Sequence, residues 1–228
     1  MVDLKGIIDQ GSPGQAVEAW YEVNQVSRLH LGLSEIGHEC PRYLWYRHNG
    51  YASSPIDGRV LRLFQLGNLI EDQAISDLRD AGYTLTDNQK EVTFEHNGIT
   101  LRGHVDGIIT GLKESKTPHL FECKSANDKS FKKLQKVGYK EWNSVYYAQV
   151  QVYMLGLKLN RALVWVEAKN DSSVYTERIK LDQEYAVNTL QSAFEAIYKT
   201  GPPERKCPSQ SWWKAKFCNF SEVCWGNR

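Results

Sequence analysis

The sequence has no apolar run near the ~20 residues that a bilayer span needs. Its longest runs, such as 152–157, are far shorter. The first residues, Met1-Val2-Asp3-Leu4-Lys5-Gly6, lack the charged-then-apolar order of a secretory leader. Both absences predict a cytoplasmic protein without a membrane partner. An excess of either charge is also lacking. Lys and Arg number 28 against 27 Asp and Glu, for a net charge of +1. That excludes a generally basic, coat-like nucleic-acid binder, although one local basic groove is compatible with it. There is no internal repeat, no low-complexity tract and no Gly-x4-Gly-Lys-Ser/Thr loop, so no nucleotide-driven motor is built in. Cysteines are few, at five, and odd in number. In a cytosolic chain, metal or cluster ligation suits them better than a disulfide framework.

What is present is enough for one sizeable core. The 228 residues are 41% hydrophobic and 24% charged, which is short for two full domains. Periodicity predicts helices over 15–26, 34–46, 59–81, 141–157 and 183–198. The 59–81 helix carries an apolar stripe of Leu63, Leu66, Ile70, Ala74 and Leu78, and Gly82 ends it. Strands are predicted over 90–95, 99–110, 119–125, 162–168 and 174–181, with Asn97-Gly98 as a hairpin turn. The order predicts a mixed α/β fold, one central mixed sheet with helices on its faces. The whole chain reads as a single domain. Its core is about 59–200, and a cysteine region is formed by about 34–47 and 205–226.

Asp106 and Glu122 are the first chemical signal. A hairpin centred on Glu114 would set them directly opposite, with Cβ atoms about 5 Å apart. Lys124, two residues on, projects from the same face as Glu122. Facing carboxylates destabilise a sheet unless a cation lies between them. Two carboxylates and a nearby carbonyl are the hard oxygen ligands that Mg²⁺ or Mn²⁺ prefers. Cys123 points the other way, as a small buried hydrophobe. The bland alternative is a solvent-facing strand with ordinary charges. Gly67 and Glu71 share one helix face, where the glycine would allow close approach and the Glu could reach the metal. Gln149 and Tyr153 are likewise i, i+4 on one face. Either pair alone could be surface chemistry.

The order Gly67-x3-Glu71, Gly103-x2-Asp106, Glu122-x-Lys124, Gln149-x3-Tyr153 resembles the PD-(D/E)xK nuclease superfamily. Within it, the order is similar to the RecB-type motifs, over roughly residues 34–225. The resemblance implies a restriction-endonuclease-like core and a Mg²⁺- or Mn²⁺-dependent DNA exonuclease acting 5′ to 3′. It implies work in recombination, repair, or CRISPR or viral DNA processing, with a recombination or CRISPR-adaptation protein as a possible partner. Asp106 and Glu122 would hold the metal with Glu71 and with Cys123 beside them. Lys124 would position the attacking water, and Gln149 and Tyr153 would orient the DNA backbone and the catalytic groups. The role of His104, on the same face as Asp106, stays open. The rivals are an inactive DNA-binding module on this fold and a structure- or site-specific endonuclease.

Cys40, in Ser34-Glu35-Ile36-Gly37-His38-Glu39-Cys40-Pro41-Arg42, and Cys207-x10-Cys218-x5-Cys224 form the second signal. Proline follows Cys40 and Cys207, which suits two helix starts that would stabilise thiolates. One early and three late cysteines resemble the iron–sulfur branch of the same superfamily. That branch places the third cysteine three residues before the Cys-x5-Cys pair. Here the distance is eleven, with Ser211-Trp212-Trp213-Lys214 inserted. Four thiolates suit a 4Fe–4S cluster or a structural Zn²⁺; spacing leaves both open, and the resemblance implies the cluster. Trp212 and Trp213 would pack around it. Lys129, Lys132, Lys133, Lys136 and Lys140, followed by Tyr139, Trp142, Tyr146 and Tyr147, suit phosphates and stacked bases, or else a solvated loop. Arg42 and Arg47 are weaker candidates for DNA contact.

Overall fold

The computed structural model describes residues 11–25, 30–113 and 115–226. The N-terminal hexapeptide, and Glu114 at the expected hairpin centre, lie outside them. The described elements are α1 (Pro13–Val23), a short 3-10 turn (Leu33–Glu35), α2 (Pro41–His48), α3 (Gly58–Asp80), β1 (Thr84–Thr86), β2 (Glu91–His96), β3 (Ile99–His104), β4 (Gly107–Thr110), β5 (His119–Ala126), α4 (Asp128–Trp142), α5 (Ser144–Leu157), β6 (Arg161–Ala168), β7 (Val174–Lys180), α6 (Gln183–Ile197), α7 (Trp213–Lys216) and α8 (Ser221–Trp225).

The central sheet is five-stranded and mixed, in the order β1-β4-β5-β6-β7. Only β5 and β6 run parallel, and the α4–α5 crossover that parallel pairing requires joins them. Alternation along β5 sends Phe121 and Cys123 to one face, where they pack on Ile70, Ala74 and Leu78 of α3. Leu120, with Val164 and Val166 of β6, faces the larger core with α5 and α6. The sheet is thus apolar on both faces, and helices cover both.

Three sequence expectations need correction, and one element was not foreseen. The strand expected over 99–110 is two strands in two sheets. β3 pairs only with β2, in a separate two-stranded sheet, and β4 begins again in the central one. The chain changes sheets at Val105-Asp106. β1, three residues long, was too short to register as a period. The lysine-rich stretch is not a loop but the helix α4, interrupted where Gly138 takes φ 76°. Finally, only the second half of the α3 stripe is core: Ile70, Ala74 and Leu78 are buried, whereas Leu63 and Leu66 are exposed.

The β2–β3 turn forms as its sequence requires. Asn97 and Gly98 take φ 45° and 79° between the paired His96 and Ile99, the left-handed pair of a two-residue hairpin.

Candidate active site

The site is built on β5. Gly107 pairs with Phe121 and Ile109 with His119, the register expected of a hairpin centred on residue 114. Asp106, directly before β4, therefore lies beside Glu122. Its Oδ2 accepts the backbone N–H of Cys123 at 2.7 Å. Glu122 is 0% exposed. Its Oε1 accepts a charged hydrogen bond from Lys124 Nζ, while its Oε2 is buried with no partner. Lys124 also stands 5.2 Å from the centre of the Tyr146 ring. Glu71 approaches from α3, and its Oε1 accepts from Gln89 Nε2 at 3.0 Å.

The charges do not balance. Burial, with the Asp106 carboxylate beside it, pushes Glu122 up to about 8. The same two causes push Glu71 up to about 7. Burial also raises Asp106. Burial opposes the charge on Lys124, but Glu122 and Asp106 outweigh it and hold its pKa well above the ordinary lysine range. Three acids thus share one ammonium, and a further cation would favour the ionised form of all three at neutral pH. Hard carboxylate oxygens, one of them unpartnered, fit a divalent cation. Among the described residues, no three His, Cys, Asp or Glu side chains converge as a ready-made metal site.

Gln149 and Tyr153, one turn apart on α5, come to the same place. Tyr153 is 1% exposed, and its phenol is raised by burial and next by Glu122, while the Gln149 side chain bonds to it. At that burial Tyr153 reaches the Glu122–Lys124 pair rather than a strand in solvent. Gly103 makes room for it. A Cβ there would meet the Tyr153 hydroxyl at 2.5 Å and Leu33 Cβ at 2.9 Å. Gly103→Ala should therefore cost about 1–3 kcal/mol by overpacking and turn Tyr153 away from Glu122. A denaturant melt and a cleavage assay should fall together; an unchanged melt would contradict the contact.

Other expectations fare differently. Gly67 does not serve close approach, since a Cβ there would meet only Ser125 Oγ at 3.7 Å. His104 leaves the site with β3 and pairs across from Glu91. Tyr139, Trp142 and Tyr147 are buried and cannot stack on bases. Arg47 is buried against Glu35 at 3.2 Å, and Arg42 donates to Pro203 O at 2.9 Å, so both arginines hold the fold. Lys129, Lys132, Lys133 and Lys136 are exposed on α4, with Lys132 paired to Asp128 at 2.9 Å. The thiol of Cys123 lies on the α3 face, and burial raises its pKa, so any metal contact from this residue comes from its backbone.

Two site residues had no sequence signal, and a third, Tyr139, carried one that pointed elsewhere. Gln89 and Asn88 hold Glu71 and the Asp106 carbonyl from a tight turn in which Gln89 has φ 58°. Tyr139 looked like a surface aromatic. Its hydroxyl is buried without a partner, and its pKa is raised first by burial, with Glu122 adding to it against Lys124. The break at Gly138 turns it inward and frees its N–H for Glu177 Oε2 at 2.9 Å.

Cys40, Cys207, Cys218 and Cys224 line one cavity with Tyr43 and Tyr46, and none is in a disulfide. Cys40 caps the start of α2 ahead of Pro41. Cys207 begins no helix; it lies in a bend. Burial raises Cys218, and the other three thiols add to that rise. Four soft sulfur donors around one cavity are the chemistry that a bound soft cation or cluster takes.

The fold, a mixed sheet flanked by helices, recurs in solved structures. The protein SSO0001 matches with a TM-score of 0.54 at 15% identity, over 95% of this chain and 97% of that one. An alkaline exonuclease from Laribacter hongkongensis (LHK-Exo) matches with a TM-score of 0.51 at 15% identity, over 79% of this chain and 90% of that one. Its complex with dAMP matches with a TM-score of 0.51 at 16% identity, over the same shares. At such identities the likeness is one of fold. No family model matches the chain, and no curated protein does. No helix among the described residues is long and apolar enough to cross a membrane.

The charge imbalance makes stability depend on pH. Glu122 and Glu71 have folded pKa values above their unfolded ones, so their protonation favours the fold. That contribution is complete below about 4.5 and is lost as pH rises through about 7 and 8. The metal-free protein should therefore melt at lower temperature as pH rises from 5 to about 8.5. Mg²⁺ should raise the midpoint more at the alkaline end, where protons no longer compete with it for the carboxylates. Thermal melts in EDTA and in Mg²⁺ check this; a Mg²⁺ shift independent of pH would contradict it.

Proposed function

We propose that this chain is a metal-dependent deoxyribonuclease, an exonuclease of the PD-(D/E)xK type, working as a single domain in the cytoplasm. One observation carries the reading: Glu71, Asp106 and Glu122 surround a single lysine, with Glu122 Oε2 buried and unpartnered. A structural ion pair needs one carboxylate, not three. The fold shared with an alkaline exonuclease supports the same reading.

Asp106, Glu122 and Glu71 would hold Mg²⁺ or Mn²⁺. That ion supplies charge stabilisation at the scissile phosphate and a lowered pKa for water. Lys124, kept protonated by its acidic neighbours, donates hydrogen bonds that orient the attacking water and the phosphate. Tyr153 and Tyr139 close the site from the core side and keep the Glu122–Lys124 pair dry, which strengthens it. Lys129, Lys132, Lys133 and Lys136 offer exposed charge for the phosphates of the strand. The four cysteines of the terminal cavity hold a 4Fe–4S cluster, with a structural Zn²⁺ as the outcome that metal analysis would substitute.

Digestion of end-labelled linear DNA, single- and double-stranded, with Mg²⁺, Mn²⁺ or EDTA, tests the reading. Mononucleotide or short products from one end are expected, with the 5′ end consumed first. Cleavage of closed circular DNA would replace the exonuclease with an endonuclease. Binding without cleavage in either metal would leave a DNA-binding module.

A further inference from the structure

The insertion between Cys207 and Cys218 does more than connect ligands. It forms α7, a single turn, and carries two of the most exposed large apolar side chains among the described residues. Trp213 is 60% exposed and Phe217 is 84% exposed, four residues apart and so on one face of that turn. The sequence had placed Trp213 in the packing around the cysteines, yet most of its ring is free. Both rings border a cavity that Trp212, Lys206 and Lys214 also line. From 205 to 219 the chain has four cations, Arg205, Lys206, Lys214 and Lys216, and no carboxylate. Lys206 and Lys214 clasp Glu39, while Arg205 is turned to the Cys224 carbonyl and the Trp225 ring. Lys216 is exposed beside Phe217.

We propose that Trp213 and Phe217 form a stacking platform for bases of single-stranded DNA, outside the catalytic site, with Lys216, the cation not tied to Glu39 or Trp225, facing the phosphates. The chemistry selects this ligand. Flat aromatic faces accept any base, and these four cations against the single carboxylate of the cavity lining, Glu39, favour a polyanion over an ordinary protein surface. The placement suits a strand leaving the active site. His38, which lines the platform cavity, follows Gly37, and Gly37 packs on α5 at Ser144, Val145 and Ala148. The same turns of α5 carry Tyr146 over Lys124. Helix α5 thus touches both the segment that borders the platform cavity and the Lys124 site.

The inference rests on DNA as the substrate, and the test separates the two. Oligothymidylates of about 5 and about 20 nucleotides, lengths bracketing the usual single-strand site sizes, are titrated in EDTA with anisotropy and tryptophan fluorescence as readouts. The longer strand should bind at least about tenfold more tightly and quench fluorescence. Trp213→Ala with Phe217→Ala should remove that advantage, and Phe217→Tyr should keep it. Cleavage of the shorter strand by the unaltered protein in Mg²⁺ reports on the carboxylate site alone. Unchanged affinity of the double variant for the longer strand, with that cleavage intact, overturns the platform only. Neither binding nor cleavage overturns both. A wild-type dimer that Phe217→Ala turns into monomer on sedimentation would give the surface to a second copy and overturn the platform as well.

Discussion

Glu122→Gln should abolish DNA cleavage and, at the same time, make the metal-free protein more stable at pH 8. The two effects share one cause. The carboxylate sits fully buried beside Asp106 with one oxygen unpartnered, so its charge is unfavourable to the fold and useful only toward a cation. An amide of the same shape keeps an acceptor for Lys124 and carries no charge. Turnover should fall by about a thousandfold or more, the scale of a lost electrostatic or acid–base contribution. The melting midpoint in EDTA should rise, and the Mg²⁺-dependent shift should shrink. A Glu122→Gln protein that still cut DNA at near-normal rate would remove β5 from the chemistry. One that lost stability would show that the Glu122–Lys124 pair is a structural bond. Asp106→Asn should lose cleavage with less gain in stability, because the Asp106 carboxylate is already offset by the Cys123 N–H.

The second large effect is expected at the cysteines. Cys40 begins α2, while Cys207, Cys218 and Cys224 lie in the last turns of the described chain, so a shared ligand would tie the two regions together. Binding energy of that kind is folding energy. With the proposed cluster in place, Cys218→Ser should lose its iron and, with it, much of the stability. A loss of about 4 kcal/mol lowers the midpoint by roughly 8–16 °C in a chain of this size. Cys123→Ser should keep the metal, because that thiol lies on the α3 face of the sheet. Iron and zinc analysis of anaerobically purified protein, paired with melts, checks both variants. Equal metal content in the wild-type protein and Cys218→Ser would clear the tail cysteines of any ligand role.

Much of this arrangement was legible in the sequence because strands have a strict period. With residues 99–125 as hairpin strands, alternation puts Glu122 and Lys124 together and Cys123 opposite, and the fold has that placement. The i, i+4 rule joined Gln149 to Tyr153 in the same way. Local rules failed where the controlling contact is distant. Nothing near Val105 signals that the chain changes sheets there, since β3 and β4 have the same alternating pattern. Tyr139 reads as a surface aromatic among lysines until Gly138 breaks the helix and rotates it. Leu63 and Leu66 keep the helical period of α3 but extend past the sheet that buries its second half. Gln89 acts through a turn conformation that composition alone does not specify.

The parallel pairing of β5 with β6 also fixes when the site can exist. Leu120 meets Ala162 and Ala126 meets Ala168, so β5 has no partner on that side until the chain has been made beyond residue 168. The β2–β3 hairpin closes across two residues, whereas this pairing closes a loop that includes both crossover helices, at a larger entropic cost. During synthesis, Asp106 and Glu122 emerge well before the strand and helices that bury them. A half-made chain holds the acids in water, where each ionises at its ordinary value and none needs a cation. The burial that raises their pKa values arises only with the last strands, so assembly itself separates the presence of these acids from their mutual repulsion.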